Sequence, residues 1–127
     1  MNWPLVWLVL GCVNGLMAVA MGAYGAHGFD GKPDYLADSF NVGVQYQMWH
    51  ALALAAVAWA SDRFPHTLVR LAGFVFCIGI GLFSGTLYIF GTTGTLPLTG
   101  AAPAGGMSLM AGWALLAIGA WRGARIS

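Results

Sequence analysis

The sequence predicts an all-α integral membrane protein, a four-helix bundle that occupies residues 1–127 as a single domain. The first observation behind this prediction is composition. Only 7% of the residues are charged, 59% are hydrophobic and glutamate is absent, so the chain cannot build the charged surface of a water-soluble domain. The second is a set of four apolar runs, each close to the ~20 residues that cross a ~30 Å hydrocarbon core. Because backbone groups in lipid must pair within their own segment, these runs are predicted to be helices.

The first run covers residues 3–25. Its Ala18-Val19-Ala20 segment is typical of a signal-peptide cleavage site, but no basic residue precedes the run, and we therefore expect a retained span. The third and fourth runs cover residues 68–91 and 101–121. Both are long enough to cross the membrane.

The second run, residues 42–60, is preceded by an amphipathic helical extension. The Pro-Asp pair at 33–34 is typical of a first helical turn, and Leu36 and Phe40 fall on one face of the helix that follows. If this helix ran unbroken to the end of the run, it would be about 40 Å long, which exceeds the hydrocarbon thickness. We therefore expect it either to project from the membrane or to bend near Gly43.

Basic residues predict the orientation of the bundle. Lys32 is the single basic residue on one side of the predicted membrane, and four arginines lie on the other: Arg63, Arg70, Arg122 and Arg125. Because cytoplasmic loops carry the excess of Lys and Arg, both termini are predicted to be cytoplasmic, in a multi-pass protein of the inner (plasma) membrane. Trp7, with Trp3, Trp59 and Trp121, is predicted to join an aromatic belt at the inner interface. The net charge of +1 gives no electrostatic basis for nucleic-acid binding, and the expected partner is the lipid bilayer.

Glycines are predicted to bring the helices together, because helices in lipid associate through close backbone approach. In the first run, small residues recur at alternating spacings of four and three, which places them on one helix face: Gly11, Gly15, Ala18, Gly22 and Gly25. A dimer surface or a conduit is the functional alternative to packing within the bundle. The predicted packing glycines are Gly11, Gly15, Gly22, Gly25, Gly81, Gly85 and Gly112.

Polar side chains from several helices are predicted to converge in the outer leaflet. Unpaired polar groups in hydrocarbon are costly, so we expect them to form hydrogen bonds between helices. Such bonds serve either as ordinary helix contacts or as a functional site, and His50 is the strongest candidate for a functional role because it lies well inside a span. The predicted cluster consists of His27, Gln45, Gln47, His50, Ser84 and Tyr88.

Three segments of the sequence are distinctive: Gly22–Gly28 (GAYGAHG), Gly43–Leu54 (GVQYQMWHALAL) and Leu82–Tyr88 (LFSGTLY). They resemble the domain of unknown function 423 family, a group of small bacterial membrane proteins with animal relatives called transmembrane protein 256. The glutamine-rich second segment is the most specific. The resemblance covers essentially the whole chain and implies a four-span inner-membrane protein. It implies no activity, and therefore no catalytic residues.

The favoured function is that of a non-enzymatic membrane protein, either a structural or accessory subunit of a larger complex or a self-associating homo-oligomer. No nucleophile is paired with a base, and no phosphate-binding or zinc motif occurs, so no catalytic or metal-binding residue is predicted.

Two alternatives stay open. One is a small-ligand site for lipid, quinone or haem around His50, with His27 as a second possible haem ligand. The other is an oligomeric channel for a small solute or an ion. Its candidate lining residues are Asn14, Gln47, Ser84 and Thr86.

Overall fold

The computed structural model describes residues 1–126 and contains four α-helices joined by short connections. They are α1 (Trp3–His27), α2 (Asp34–Arg63), α3 (Thr67–Thr93) and α4 (Ala101–Ile126). The prediction of an all-helical bundle is confirmed, and the described part of the chain contains no strand. By length and composition, α1, α3 and α4 qualify as membrane-spanning helices.

The four helices do not each pack against two neighbours as they would in a square bundle. The central pair is α2 and α3, with α1 packed against α2 and α4 packed mainly against α3. The central pair contains most of the buried residues. Gln45, Gln47 and His50 lower the hydropathy of α2, which does not reach the level of the other three helices. Because its neighbours cover so much of α2, this helix needs less lipid-compatible surface than they do.

The start of α2 follows the sequence prediction. Its first residue is Asp34, directly after Pro33. The helix then continues through Gly43 without interruption for 30 residues, which corresponds to about 45 Å. Of the two predicted alternatives, a projecting helix or a break near Gly43, the structure has the continuous helix.

The N-terminal part of α2 packs onto its neighbours. Phe40 is fully buried and contacts the positions of Gly25 on α1 and Gly91 on α3, where there is no side chain to keep it away. Its ring lies 4.9 Å from that of Tyr88 and 5.1 Å from that of Phe29. The apolar face predicted for this extension therefore covers the ends of α1 and α3.

We call the end of the bundle that holds the four arginines the basic end. Trp7 lies there, but it does not belong to an exposed belt. It is 1% exposed, and its indole packs on the bare backbone of Gly73 and edge-on against Phe74. The prediction of an interfacial Trp7 is therefore wrong, because the absence of a side chain at Gly73 opens a slot for the ring between α1 and α3.

Glycines form two close helix contacts. Along α3 and α4, a Cβ atom at Gly105 would lie 2.5 Å from the Phe83 nitrogen, and one at Gly112 would lie 2.6 Å from the Phe76 ring. Along α1 and α2, a Cβ atom at Gly11 would lie 2.9 Å from a backbone oxygen. Side chains at these positions would push the helices apart.

The other predicted packing glycines differ in how closely they are approached. A Cβ atom at Gly25 would lie 2.7 Å from Asn41, whereas at Gly22 and Gly15 the nearest atoms are 3.4 and 4.0 Å away. At Gly81 and Gly85 it would meet nothing within 4 Å. The prediction that these last two glycines pack helices within the chain is wrong, because their face of α3 borders an open cleft.

Replacing Gly105 by alanine tests the close contact between α3 and α4. The added methyl group meets backbone atoms that cannot move aside separately, so we expect Gly105→Ala to lower the free energy of unfolding by about 1–3 kcal/mol. The measurement is denaturation by SDS in mixed micelles. The matched control is Gly81→Ala, which we expect to lose no stability, because its methyl group has space and alanine is the better helix former. Equal effects of the two substitutions would contradict this packing.

Candidate functional site

The six residues of the predicted polar cluster separate in the structure. His27 and Gln45 are exposed, and neither side chain has a hydrogen bond within residues 1–126. Gln47, Ser84 and Tyr88 lie together between α2 and α3. His50 is buried but points toward α4. Two different sites therefore replace the single predicted cluster.

Gln47 is the centre of a hydrogen-bond network that joins three helices. It is 2% exposed. Its Oε1 accepts a hydrogen bond of 2.6 Å from the Tyr88 hydroxyl on α3, and its Nε2 donates one of 3.1 Å to Asn14 Oδ1 on α1. Asn14 Nδ2 in turn donates to the Leu10 carbonyl at 2.9 Å. This chain of bonds fixes α2 to both neighbours.

Ser84 makes a separate bond to the backbone of α2. Its Oγ donates to the Gly43 carbonyl at 2.7 Å, across the close approach between α2 and α3. The Ser84 hydroxyl is therefore directed to a carbonyl rather than to His50. These two residues do not form a nucleophile–base pair.

The depth predicted for the network is wrong. The sequence predicts Gln47 in the outer leaflet, but its partner Asn14 lies midway along α1. The reason is that α2 is longer than its neighbours at its N-terminal end, so position 47 falls near the centre of the bundle. The network therefore lies near the middle of the bundle rather than at its outer end.

The network borders a cleft between α1 and α3 of about 220 Å³. Gly81 and Gly85 leave one wall of this cleft without side chains. The lining residues are Asn14, Met17, Gln47, Cys77, Ile80, Gly81, Ser84, Gly85 and Tyr88. Thr86, the other residue suggested for a channel, is buried but does not line it.

A second, more apolar cleft of about 370 Å³ adjoins the first at Tyr88. It lies farther from the basic end, and its lining residues are Met21, Tyr24, Phe40, Tyr88, Ile89 and Thr92. Together the two clefts form a groove along α1 and α3, which we call the α1–α3 groove. It combines an apolar stretch with a polar segment at mid-depth.

The polar segment has spare hydrogen-bond donors. Each side-chain amide carries two N–H groups, and the network uses one from Gln47 and one from Asn14. The nearest further acceptor to Gln47 Nε2 is the Met17 sulfur at 4.0 Å, and a thioether is a weak acceptor. The amide oxygens and the Tyr88 hydroxyl hydrogen are already engaged. The segment is therefore suited to a hydrogen-bond acceptor.

His50 forms the second site, and neither of its ring nitrogens is open to a ligand. Its Nδ1 lies 2.7 Å from the Tyr46 carbonyl, and its Nε2 lies 3.0 Å from the Trp113 Nε1. Because the indole N–H only donates, Nε2 accepts and the proton resides on Nδ1. Both ring nitrogens are occupied, and none of the clefts described above is lined by His50.

The suggested ligation of haem by His50 and His27 together is therefore wrong, whereas a site for lipid or quinone stays a prediction. His27 ends α1 close to the level of Phe40, since Gly25 contacts that residue. Positions 40 and 50 are about 15 Å apart along a helix. The two histidines thus lie at different depths. Within residues 1–126, no three His, Cys, Asp or Glu side chains come together in a way that could hold a metal ion.

Sequence reasoning missed two members of these sites. Trp113 binds His50, and Met17 lies beside Gln47. Trp113 had a detectable signal, because it stands in the middle of an apolar run, where an indole N–H needs an acceptor. Met17 had none, since a methionine in a span is indistinguishable from a lipid-facing residue.

Comparisons with known proteins identify close relatives. The model of the family described as "Protein of unknown function (DUF423)" matches residues 21–106. The chain is 41% identical to the UPF0382 membrane protein YwdK of Bacillus subtilis, over 91% of this chain and 95% of the relative. It is 32% identical to the UPF0382 inner membrane protein YgdD of Escherichia coli, over 91% of this chain and 88% of the relative. No solved structure matches.

Replacing Gln47 tests the network. We expect Gln47→Leu to lower the free energy of unfolding by about 1–3 kcal/mol, because it leaves the Tyr88 hydroxyl and the side-chain oxygen of Asn14 without their partner. In a double-mutant cycle with Tyr88→Phe, the coupling energy should be about 0.6 kcal/mol and at most about 1.7 kcal/mol. SDS denaturation provides both values.

The control for this prediction is Gln45→Leu, which changes the same residue type two positions away. Gln45 is exposed and has no side-chain hydrogen bond within residues 1–126, so this variant should lose no stability. If the two glutamine variants were equally destabilised, or if the cycle showed no coupling, the bonds to Gln47 would not hold the helices together.

Proposed function

Because this chain belongs to the DUF423 family of membrane proteins, we propose that it is a non-enzymatic inner-membrane protein that binds a small lipid-soluble carbonyl compound in the α1–α3 groove. The main support is a set of hydrogen-bond donors at the groove. The Asn14–Gln47–Tyr88 network has spare amide donors at a cleft between two membrane helices. Polar groups at this depth are costly unless they have a partner.

The size and chemistry of the groove support a ring with carbonyl groups. A cavity of about 150 Å³ is known to accommodate benzene, and this cleft measures about 220 Å³. A carbonyl oxygen would accept from the second N–H of Asn14, or from Gln47 Nε2 in place of the weakly accepting Met17 sulfur. An apolar tail would follow the adjoining cleft past Met21 and Ile89, or continue into lipid. A quinone has this combination of features.

A second candidate function is lateral self-association, the role that the sequence favoured. Its specific support is the bare face at Gly81 and Gly85, two glycines four residues apart at a cleft that no part of residues 1–126 fills. Membrane helices associate closely at such paired small residues. A helix of a second copy or of a partner subunit would then take the place of the ligand.

A decyl-substituted benzoquinone is the probe that tests the first proposal. Its carbonyls only accept hydrogen bonds, whereas the hydroxyls of its reduced hydroquinone form also carry protons that need acceptors, and the polar segment of the groove offers spare donors instead. We expect the purified protein to bind the oxidised form more tightly than the reduced form. Gly85→Leu should weaken binding of the oxidised form by about tenfold or more, because the new side chain fills the cleft, and a tenfold loss corresponds to ~1.4 kcal/mol. Equilibrium dialysis in detergent measures both affinities.

The control is Gln45→Leu, which lies outside the groove and should bind the quinone as the unmodified protein does. Equal quinone affinity in the Gly85→Leu variant would refute the ligand site. Native mass spectrometry of the same samples examines the second candidate. An oligomer that Gly85→Leu dissociates, with no quinone bound to either protein, would replace the ligand proposal by self-association.

We also propose that both termini face the cytoplasm. The support is that Arg63, Arg70 and Arg125 lie at the ends of helices on one side of the bundle, whereas Lys32 lies on the other, beside the Thr92 carbonyl. A C-terminal green fluorescent protein fusion should therefore fluoresce, and a C-terminal alkaline phosphatase fusion should be inactive. The reverse pattern would show that the basic end faces outward.

A further inference from the structure

A separate cleft of about 350 Å³ lies at the basic end, away from the α1–α3 groove. It is bounded by the first residue of α1, the connection between α2 and α3, the first turn of α3 and the last described residue of α4. Its lining residues are Trp3, Ser61, Pro65, His66, Thr67, Arg70 and Ile126. No carboxylate is among them. The nearby acid Asp62 instead lines a different cleft, together with Asn2 and Trp59.

Within residues 1–126, no carboxylate compensates the positive charge in this cleft. The guanidinium of Arg70 lies 5.0 Å from the centre of the Trp3 ring, which holds it at the cleft by a cation–π contact. No carboxylate of residues 1–126 forms an ion pair with it. Arginine is weakly hydrated and carries a planar set of donors that matches phosphate oxygens, so this group favours a phosphate over a simple halide.

Further donors come from the start of α3. His66 caps this helix, and its Nδ1 accepts a hydrogen bond of 3.1 Å from the Leu68 nitrogen. In the neutral ring, the proton then resides on Nε2, which is a donor. Thr67 adds a hydroxyl and a backbone N–H in the first turn of a 27-residue helix, where the helix dipole attracts anions.

A buried hydroxyl without a hydrogen-bond partner also points to a ligand in this cleft. The Oγ of Ser61 is buried, with less than 1 Å² exposed, and has no hydrogen-bond partner among residues 1–126. Buried hydroxyls normally have a partner, and leaving one without a partner is costly. Ser61 lines this same cleft, and its Oγ is closed to a water-sized group, so a turn of its side chain about χ1 would be needed for a ligand oxygen bound there to complete its hydrogen bonding.

We propose that this cleft binds the phosphate group of an anionic membrane lipid. Trp3 and Thr67 are the first residues of two apolar helices, so the cleft lies where those helices leave the hydrocarbon and enter the headgroup region. Basic pockets between membrane helices at this level are typical sites for anionic headgroups. The headgroup phosphate contacts Arg70, Ser61 and the first turn of α3, and the acyl chains extend along the outside of the bundle.

Nanodiscs that contain equal amounts of phosphatidylglycerol and phosphatidylcholine test this proposal. Native mass spectrometry counts the molecules of each lipid that remain bound when the protein is released. We expect the unmodified protein to retain phosphatidylglycerol preferentially, and Arg70→Gln to reduce that preference about fivefold, the effect of roughly 1 kcal/mol per arginine near the membrane surface. Ser61→Ala should also weaken retention while the charge stays unchanged.

The matched control is Arg122→Gln, which removes an exposed arginine from the same end of the bundle but not from the cleft. It should keep the lipid preference. Equal losses in the Arg70 and Arg122 variants would indicate diffuse attraction to the membrane and would overturn the proposal. So would equal retention of both lipids by the unmodified protein. Complete displacement of phosphatidylglycerol by millimolar inorganic phosphate would mean that the cleft binds a free anion rather than a lipid.

Discussion

The structure depends on how α1 and α3 are held on either side of α2. At the basic end, Trp7 fits against the bare backbone of Gly73 and brings α1 and α3 together. Farther along, the link passes through Gln47, which bonds to Asn14 on one side and Tyr88 on the other. The hydrophobic effect does not draw helices together in lipid, so close backbone contact and polar bridges must do so. The α1–α3 groove lies where the polar bridge replaces backbone contact.

The same constraint explains the composition of α2. A helix with two glutamines and a histidine at mid-depth is a poor membrane span by itself. In the bundle, Gln47 and His50 each bond to a neighbouring helix, and α1, α3 and α4 are the helices that are long and apolar enough to cross a membrane. Polar chemistry is thereby brought to the centre of the protein. This arrangement is what makes a site in the groove chemically reasonable.

The fold was predictable because apolar length and low charge determine a helical membrane bundle almost unaided. The contacts between individual residues were less predictable from the sequence. Gln45 and Gln47 have the same side chain, and Gly79 and Gly81 share the lack of one, yet in each pair one residue contacts a neighbouring helix and the other does not. Two positions along a helix differ by about 200° in direction. The rotation of each helix about its axis, which depends on all contacts together, therefore decides these outcomes.

The most direct test of the central claim is solid-state NMR of the protein in lipid bilayers, with 15N in the glutamine side chains and 13C in asparagine and tyrosine. We expect a short-range correlation between the Gln47 side-chain nitrogen and the Asn14 carboxamide carbon, and another between the same glutamine and the Tyr88 ring. Gln45, which is exposed, should show neither. If Gln47 lacked both correlations in bilayers, α1 and α3 would not be joined through α2, and the groove would have no polar segment.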